Sequence, residues 1–214
     1  VMSVDGKDTG TKGSKETGDY TSEVSTSLRG EPNTEITLVV SRPGEGEKTF
    51  RFRRSAIQMP AVSYADMVTD SIGYILLRTY TQNCSAEVVR ALNDLKRRGA
   101  RSLILDLRGN GGGLALEAVN IVNLFVPKGK VILEMKGKTK GANSSYTTHN
   151  EPSDTKIPVV VLVNGLSASS SEITCGAMQD LDRAVIVGER TYGKGLVQQP
   201  RQLPYGGLLK LTTS

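Results

Sequence analysis

Ile157-Pro158-Val159-Val160-Val161-Leu162-Val163-Asn164-Gly165-Leu166-Ser167-Ala168-Ser169-Ser170-Ser171-Glu172 is the stretch on which the reading of this chain turns. Ile157 to Val163 lacks polar alternation, the mark of a strand covered on both faces of a parallel sheet. A short polar turn follows, and Ser170 to about Leu181 predicts a helix. Upstream the rhythm repeats. Gly73 to Arg78 predicts a strand, and Ser85 to Arg98 carries helical spacing of Val88, Val89, Leu92 and Leu95. Ser102 to Leu107 is an apolar strand that enters a glycine run and then a helix from about Leu114 to Phe125. Lys130 to Met135 predicts a strand and Ala184 to Val187 another; two more close the chain beyond the Gly193–Gly195 turn. Strands alternating with helices argue for an α/β layered core.

Residues 1 to 58 differ in texture. A short strand at Val1–Val4 meets an Asp5-Gly6 turn, Thr9 to Asp19 is loop-like, and Tyr20 to Leu28 predicts a short helix before Gly30. Glu35 to Val40 and Thr49 to Arg54 predict two strands joined at Pro43-Gly44. The expected organisation is a small β-rich unit over 1–58 and a larger α/β core over 59–214.

Composition narrows the function. Lys and Arg total 27 against 22 Asp and Glu, a modest excess spread along the chain; aromatics make up 5% and Trp is absent. A base-stacking nucleic-acid surface therefore has little material. Cys84 and Cys175 form no CxxC pair, and one histidine cannot complete a four-ligand zinc site with them. No metal and no small-molecule cofactor are expected. No apolar run approaches the roughly 20 residues that span a bilayer. Strand-like sequence at both ends makes the chain read as a piece of a longer protein.

A hydrolase built on Ser-His-Asp or Cys-His needs a positioned imidazole. The sole histidine, His149, sits in the polar loop Asn143 to Asp154, so any nucleophile here needs another base. Lysine serves only when burial or positive neighbours disfavour its charged form. Lys194 lies in Gly188-Glu189-Arg190-Thr191-Tyr192-Gly193-Lys194-Gly195, flanked by glycines. On spacing alone an ordinary turn lysine is the favoured reading. A P-loop fails, because Gly195 replaces the required Ser or Thr and no helix follows. Ser169 sits where a helix N-terminus could assist an exposed hydroxyl. Yet Ser169-x-x-Glu172 is also the spacing of a capping box, which occurs in proteins of every function. The Gly109–Gly113 turn fits a dinucleotide fingerprint poorly and could instead present bare amides as an oxyanion hole, or simply be a flexible loop.

Taken in order, these motifs resemble the C-terminal processing peptidases, or tail-specific proteases. Ile72-Gly73-Tyr74-Ile75, Leu103 to Asn110 with its glycines, Val161-Leu162-Val163-Asn164, Ser167-Ala168-Ser169-Ser170-Ser171-Glu172-Ile173 and Gly188 to Gln198 carry the resemblance. It implies a Clp protease/crotonase-like core and a serine endopeptidase that cleaves proteins near their C-termini through an acyl-enzyme. It further implies Ser169 as nucleophile, Lys194 as base, Gln198 as the residue orienting the lysine, and Asp180 in a structural role. The amide of Ser170 with that of Gly112 or Gly113 would form the oxyanion hole. Ser170 departs from the family, which more often has alanine there.

Residues 1–58 resemble the second half of a PDZ domain, through Ser3-Val4-Asp5-Gly6-Lys7, Leu28 to Pro32 and Ile36 to Val40. The carboxylate-binding loop and accepting strand of such a domain would precede Val1, so a complete peptide groove is not expected. Partners implied are proteins or peptides with accessible C-termini, with no nucleic acid; self-association into a homo-oligomer is left open. The implied location is the bacterial periplasm or cell envelope. Two other readings stand beside this one: a non-catalytic peptide-binding protein on a protease-like core, and a crotonase-like coenzyme A thioester enzyme. The second leaves the pairing of Ser169 with Lys194 unexplained.

Overall fold

A computed structural model describes residues 1–9, 17–56, 59–138, 141 and 143–214. The chain divides into two compact units, Val1–Gln58 and Met59–Ser214.

The first unit is an antiparallel sheet in the order β2-β1-β3-β4, built from β1 (Ser3–Val4), β2 (Lys7–Asp8), β3 (Glu35–Arg42) and β4 (Gly46–Arg53), with one helix, α1 (Thr17–Leu28). The helix begins three residues before the Tyr20 start expected from sequence; residues 10–16 of the expected loop lie outside the described residues. Arg54 closes the helix. Its guanidinium donates to the carbonyls of Leu28 (3.1 Å), Ser27 (3.4 Å) and Glu35 (3.2 Å). A cation on the last carbonyls of a helix satisfies orphan acceptors and complements the helix dipole.

The second unit is built on a five-stranded sheet in the order β11-β10-β7-β6-β5. Its strands are β5 (Val62–Met67), β6 (Ile72–Leu77), β7 (Ser102–Asp106), β10 (Val159–Val163) and β11 (Ala184–Gly188). The last four run parallel and β5 runs antiparallel to β6. Helices α2 (Cys84–Arg97), α3 (Ala115–Asn123) and α4 (Ser170–Asp180) make the connections that parallel strands require. Two antiparallel pairs lie outside this sheet: β8 (Val131–Met135) with β9 (Ser144–Thr147), and β12 (Gln198–Gln202) with β13 (Leu208–Thr212).

One face of the sheet is buried more deeply than the other. Val159, Val161 and Val163 are buried while Val160 and Leu162 are half-buried, so β10 is not covered equally on both sides as its unbroken apolar run suggested. Against the deep face, α2 lays Cys84, Val88, Leu92 and Leu95, with Val89 only half-buried. α3 adds Ala118, Ile121 and Val122 to the same core, and α4 adds Met178. Each buried Val, Leu, Ile or Met side chain among them contributes about 1.5–3 kcal/mol by leaving water. Three strands went unread in the sequence, the two-residue β2 of the first unit and two of the second. β5 is an edge strand with an irregular pattern, and β9 is Ser-Ser-Tyr-Thr, a strand only because β8 pairs with it.

Two polar anchors fix the end of the core away from the glycine turn. The guanidinium of Arg183 donates to Phe125 (2.7 Å), Asp154 (3.1 Å) and Ile157 (2.8 Å) carbonyls and lies 5.6 Å from the centroid of the Phe125 ring. Asp154 accepts from the Lys96 ammonium and from the amides of Lys156 (2.8 Å) and Ile157 (2.9 Å), just ahead of β10. Among the described residues no helix is long and apolar enough to cross a membrane, and no cluster of three His, Cys, Asp or Glu could hold a metal ion.

Burial works against the Asp154 charge, but the Lys96 ammonium and the two amides outweigh it and draw its pKa down to about 2. A carboxylate held below its unfolded value stabilises the fold above that value and loses its effect as pH falls through the folded one. The urea midpoint of the protein should therefore fall on acidification from about pH 4 to about pH 2 more steeply than that of Asp154→Asn. Parallel acid profiles would remove Asp154 as a source of acid sensitivity.

Candidate active site

The turns that leave the C-terminal ends of β6, β7, β10 and β11 converge, the place where open parallel sheets hold their ligands. The turn after β7 is set first. Asp106, 2% exposed, accepts from the Arg108 amide (2.8 Å), from its guanidinium (2.6 and 3.0 Å) and from the Tyr74 hydroxyl (2.5 Å). Burial works against the Asp106 charge, but the Arg108 and Tyr74 donors outweigh it and keep its pKa below the ordinary range. Asn110, fully buried, donates to Leu77 O (2.9 Å) and accepts from the Gly112 amide (2.9 Å). Gly112 has φ +95°, and a Cβ there would lie 2.7 Å from Ala168 O and 2.9 Å from Ser170 N. The glycine turn thus packs its bare backbone against the serine turn, an approach no side chain would permit.

The serine turn is pinned to it from the other side. Ser167 Oγ donates to Leu107 O (2.8 Å), Ser170 Oγ to Gly113 O (3.0 Å) and Ser171 Oγ to Asn110 O (2.9 Å). Three of the four serines in this turn therefore hold two turns together. The Ser169 hydroxyl donates to no group among the described residues. Its backbone takes φ +55° and ψ −113°, a left-handed conformation that costs a non-glycine residue of order 1–3 kcal/mol. A strained serine between a strand and a helix N-terminus is the geometry by which other hydrolases expose a nucleophile.

Glu172 explains how the strain is held. The capping box read from the spacing does form, with the Ser169 amide donating to Glu172 Oε2 at 2.7 Å. The same carboxylate also reaches across the site, accepting from the Gly193 amide (2.6 Å) and the Lys194 amide (2.9 Å). One side chain thereby ties the serine turn to the lysine loop. Burial pushes its pKa up, but the amides of Gly193, Ser169 and Lys194 with the Thr191 hydroxyl prevail and hold it below the ordinary range. A second link, Tyr192 N to Ser167 O (3.0 Å), runs beside it.

Ser169, Gly113, Lys194 and Gln198 line one cleft of about 780 Å³, whose apolar wall includes Leu114, Leu133 and Leu196. Gly112 packs against Ser169 and Ser170 but does not line the cleft. The structure brings these residues to one place without joining every pair. Among the described residues no hydrogen bond links Ser169 to Lys194 or Lys194 to Gln198. Lys194 is exposed, and the Gln198 amide lies 3.5 Å from Thr212 Oγ1 instead. The implied contact of Gln198 with the lysine is thus not made in this conformation, because the β12–β13 pairing turns that amide toward β13.

The remaining candidates fall away from the cleft. His149 is exposed, with Thr147 Oγ1 at 3.3 Å, and Asp180 is exposed at the end of α4. Cys84 and Cys175 are buried free thiols. Burial, then the Glu117 carboxylate, pushes Cys84 up to about 12, and burial with the Glu172 charge raises Cys175. Both are held as inert thiols. Glu172 is the functional residue that sequence reasoning undervalued. Its spacing from Ser169 was visible; its reach to residues 193 and 194 was not.

Residues 71–214 match the family model described as peptidase family S41. The chain is 38% identical over 192 residues to a protein named "Probable CtpA-like serine protease" from Staphylococcus aureus (strain N315), covering 89% of this chain and 38% of that protein. It is 35% identical over 187 residues to the carboxy-terminal processing protease CtpA of Bacillus subtilis (strain 168), covering 87% and 40% respectively. The chain thus spans about two fifths of the length of these curated relatives. Among solved structures it is similar to the photosystem II D1 C-terminal processing protease, with a TM-score of 0.62 and 30% identity over 99% of this chain and 56% of that one.

Glu172→Gln preserves the shape of the tether but replaces one acceptor oxygen with an NH2 group, a donor that cannot accept from the backbone N–H groups. In that variant the Gly193 and Lys194 amides should exchange with solvent roughly 10-fold faster, the scale of one lost charge-assisted hydrogen bond. Amides inside α4 should keep their protection. Equal exchange at 193 and 194 in the two proteins would show that the lysine loop is held by something else.

Proposed function

The chain belongs to peptidase family S41, and from that membership and the cleft's chemistry we propose that it is a serine endopeptidase cleaving proteins near their C-termini with Ser169 and Lys194. The observation that carries this reading is the one hydroxyl of the serine turn that donates to no described group, on a strained residue, in a cleft that Lys194 also lines. A Ser–Lys pair answers the need for a base where no imidazole stands.

In the proposed reaction a peptide carbonyl enters beside Ser169. Lys194, neutral at that moment, takes the hydroxyl proton as Oγ attacks the carbonyl carbon. The four-carbon lysine stem lets Nζ swing toward Oγ while the carboxylate of Glu172 keeps the loop's backbone in place. Peptide filling the cleft strips water from the ammonium and disfavours its charge. The lysine then gives its proton to the leaving amine, an ester on Ser169 remains, and water activated by the same amine releases the acid. Gln198 is read as the residue that orients the lysine in the substrate-filled cleft.

The developing oxyanion needs two N–H donors. The Gly112 amide is already engaged by Asn110 Oδ1, which favours Gly113 with Ser170 as the pair. Substrates of this class are proteins whose C-terminal segments are accessible and unstructured, in keeping with the apolar cleft wall and with the processing named for the relatives. Residues 1–58 are read as the second half of a PDZ domain, and the location as the bacterial cell envelope.

Cleavage of an unstructured peptide with an apolar C-terminus, followed by mass spectrometry, tests the proposal. Ser169→Ala and Lys194→Ala should each lower kcat by about a thousandfold or more while leaving the thermal transition in place. Lys194→Arg should be as inactive as the alanine variant, since a guanidinium keeps its proton. Full activity in Lys194→Arg would sink the mechanism. Specific peptide binding without cleavage would move the chain to the binding-protein reading.

A further inference from the structure

A closed run of buried hydrogen bonds encircles the two amides assigned to the oxyanion. It starts at Tyr80, which follows β6 and is 1% exposed. Its amide donates to Gly112 O (3.2 Å) and its carbonyl accepts from the Leu114 amide (2.8 Å), so the Tyr80 backbone brackets Gly113. In a trans peptide the C=O and N–H point in opposite directions. Anchoring Gly112 O on Tyr80 therefore aims the Gly113 N–H away from β6. The approach is close enough that a Cβ on Gly113, at φ +153°, would lie 2.3 Å from Tyr80 O.

The Tyr80 side chain then leaves the turn and returns to it through α4. Its hydroxyl donates to Thr174 Oγ1 (2.8 Å), Thr174 Oγ1 donates to Ser170 O (3.0 Å), and Ser170 Oγ donates to Gly113 O (3.0 Å). Ser170 and Thr174 are each 1% exposed. The circuit runs from Tyr80 through Thr174 and Ser170 to Gly113, and closes on Tyr80 through the backbone of Gly112 and Leu114 on either side. Packing does not require it. Phenylalanine and alanine fill the same space without hydroxyls to satisfy, and trading a paired polar set for apolar groups of like shape is nearly neutral for stability.

We propose that Tyr80, Thr174 and Ser170 are positioning residues whose hydrogen-bonded circuit fixes the spacing and direction of the Gly113 and Ser170 amides for the transition-state oxyanion. This rests on the peptidase reading above. Linked hydroxyls in a dry interior polarise one another and resist displacement. Donors fixed before the reaction stabilise charge that appears only in the transition state, so the circuit acts on kcat and leaves substrate binding alone.

The test uses the full chain, four variants of the circuit and Ser169→Ala. Tyr80→Phe and Ser170→Ala should each lower kcat roughly 10-fold, the scale of a small misplacement of catalytic groups, with KM within about twofold. The double variant should lose about as much as the worse single one, because the circuit opens once. Ser170→Thr, which keeps a hydroxyl, should restore most of the loss. Unchanged kcat in Tyr80→Phe and Ser170→Ala, beside an inactive Ser169→Ala, would overturn the circuit and leave the peptidase reading standing. Hydrogen exchange supplies a readout without turnover: the Leu114 and Tyr80 amides should exchange about 10-fold faster in Tyr80→Phe. Faster exchange in a protein whose wild type cleaves nothing would sink the peptidase assignment and the catalytic purpose of the circuit together. Unchanged exchange would overturn the circuit itself.

Discussion

The site depends on one carboxylate accepting three amides from two segments that lie far apart in sequence. Glu172 receives the N–H groups of Ser169, Gly193 and Lys194, all within 2.6–2.9 Å. Hydrogen bonds to a charged acceptor contribute roughly 1.5–3 kcal/mol each, enough together to offset the strain of a left-handed serine. Two problems are met by this one group. The turn at Ser169 needs a local partner to stay bent, and the lysine loop, without regular structure from Tyr192 to Val197, needs an anchor. A lysine has no acceptor of its own to offer, so the anchor must grip its backbone and leave its amine free.

The glycine turn and the serine turn form the second constraint, and they are interdependent. Asp106 sets the start of the glycine turn through Arg108, and Asn110 carries that order onward to Leu77 and Gly112. Ala168 N–H and Ser171 Oγ then both use Asn110 O. Neither turn has a complete set of partners without the other. This is why bare backbone is needed at Gly112: the amide and carbonyl groups must approach to distances that a methyl group would block. The chemistry sits at this seam because the seam is where unpaired amides are kept in a fixed direction.

Much of the fold was legible because its signals are local. Apolar runs at Ser102–Leu107 and Ile157–Val163, each ended by a polar or glycine turn, marked β7 and β10, and the spacing of Val88, Leu92 and Leu95 marked α2. β9 was not legible, since Ser-Ser-Tyr-Thr has no strand pattern apart from its pairing with β8. The site shows the same division. Ser169, Gly113 and Lys194 were named from ordered motifs and do line one cleft. The reach of Glu172 to residue 193 spans 21 positions and depends on how two loops fold, which no spacing records. Tyr80 reads in sequence as an aromatic core residue, and only the placement of Thr174 opposite its hydroxyl gives it another role.

The left-handed backbone at Ser169 also limits which nucleophiles evolution could install there. A β-branched residue at positive φ crowds its own carbonyl, so threonine, although it carries the same hydroxyl, is excluded by its extra methyl group. Cysteine has one heavy atom on Cβ, as serine does, and meets no such barrier. Divergence of this scaffold toward thiol chemistry is therefore open by a single substitution, whereas a threonine enzyme would have to rebuild the turn from Ala168 onward.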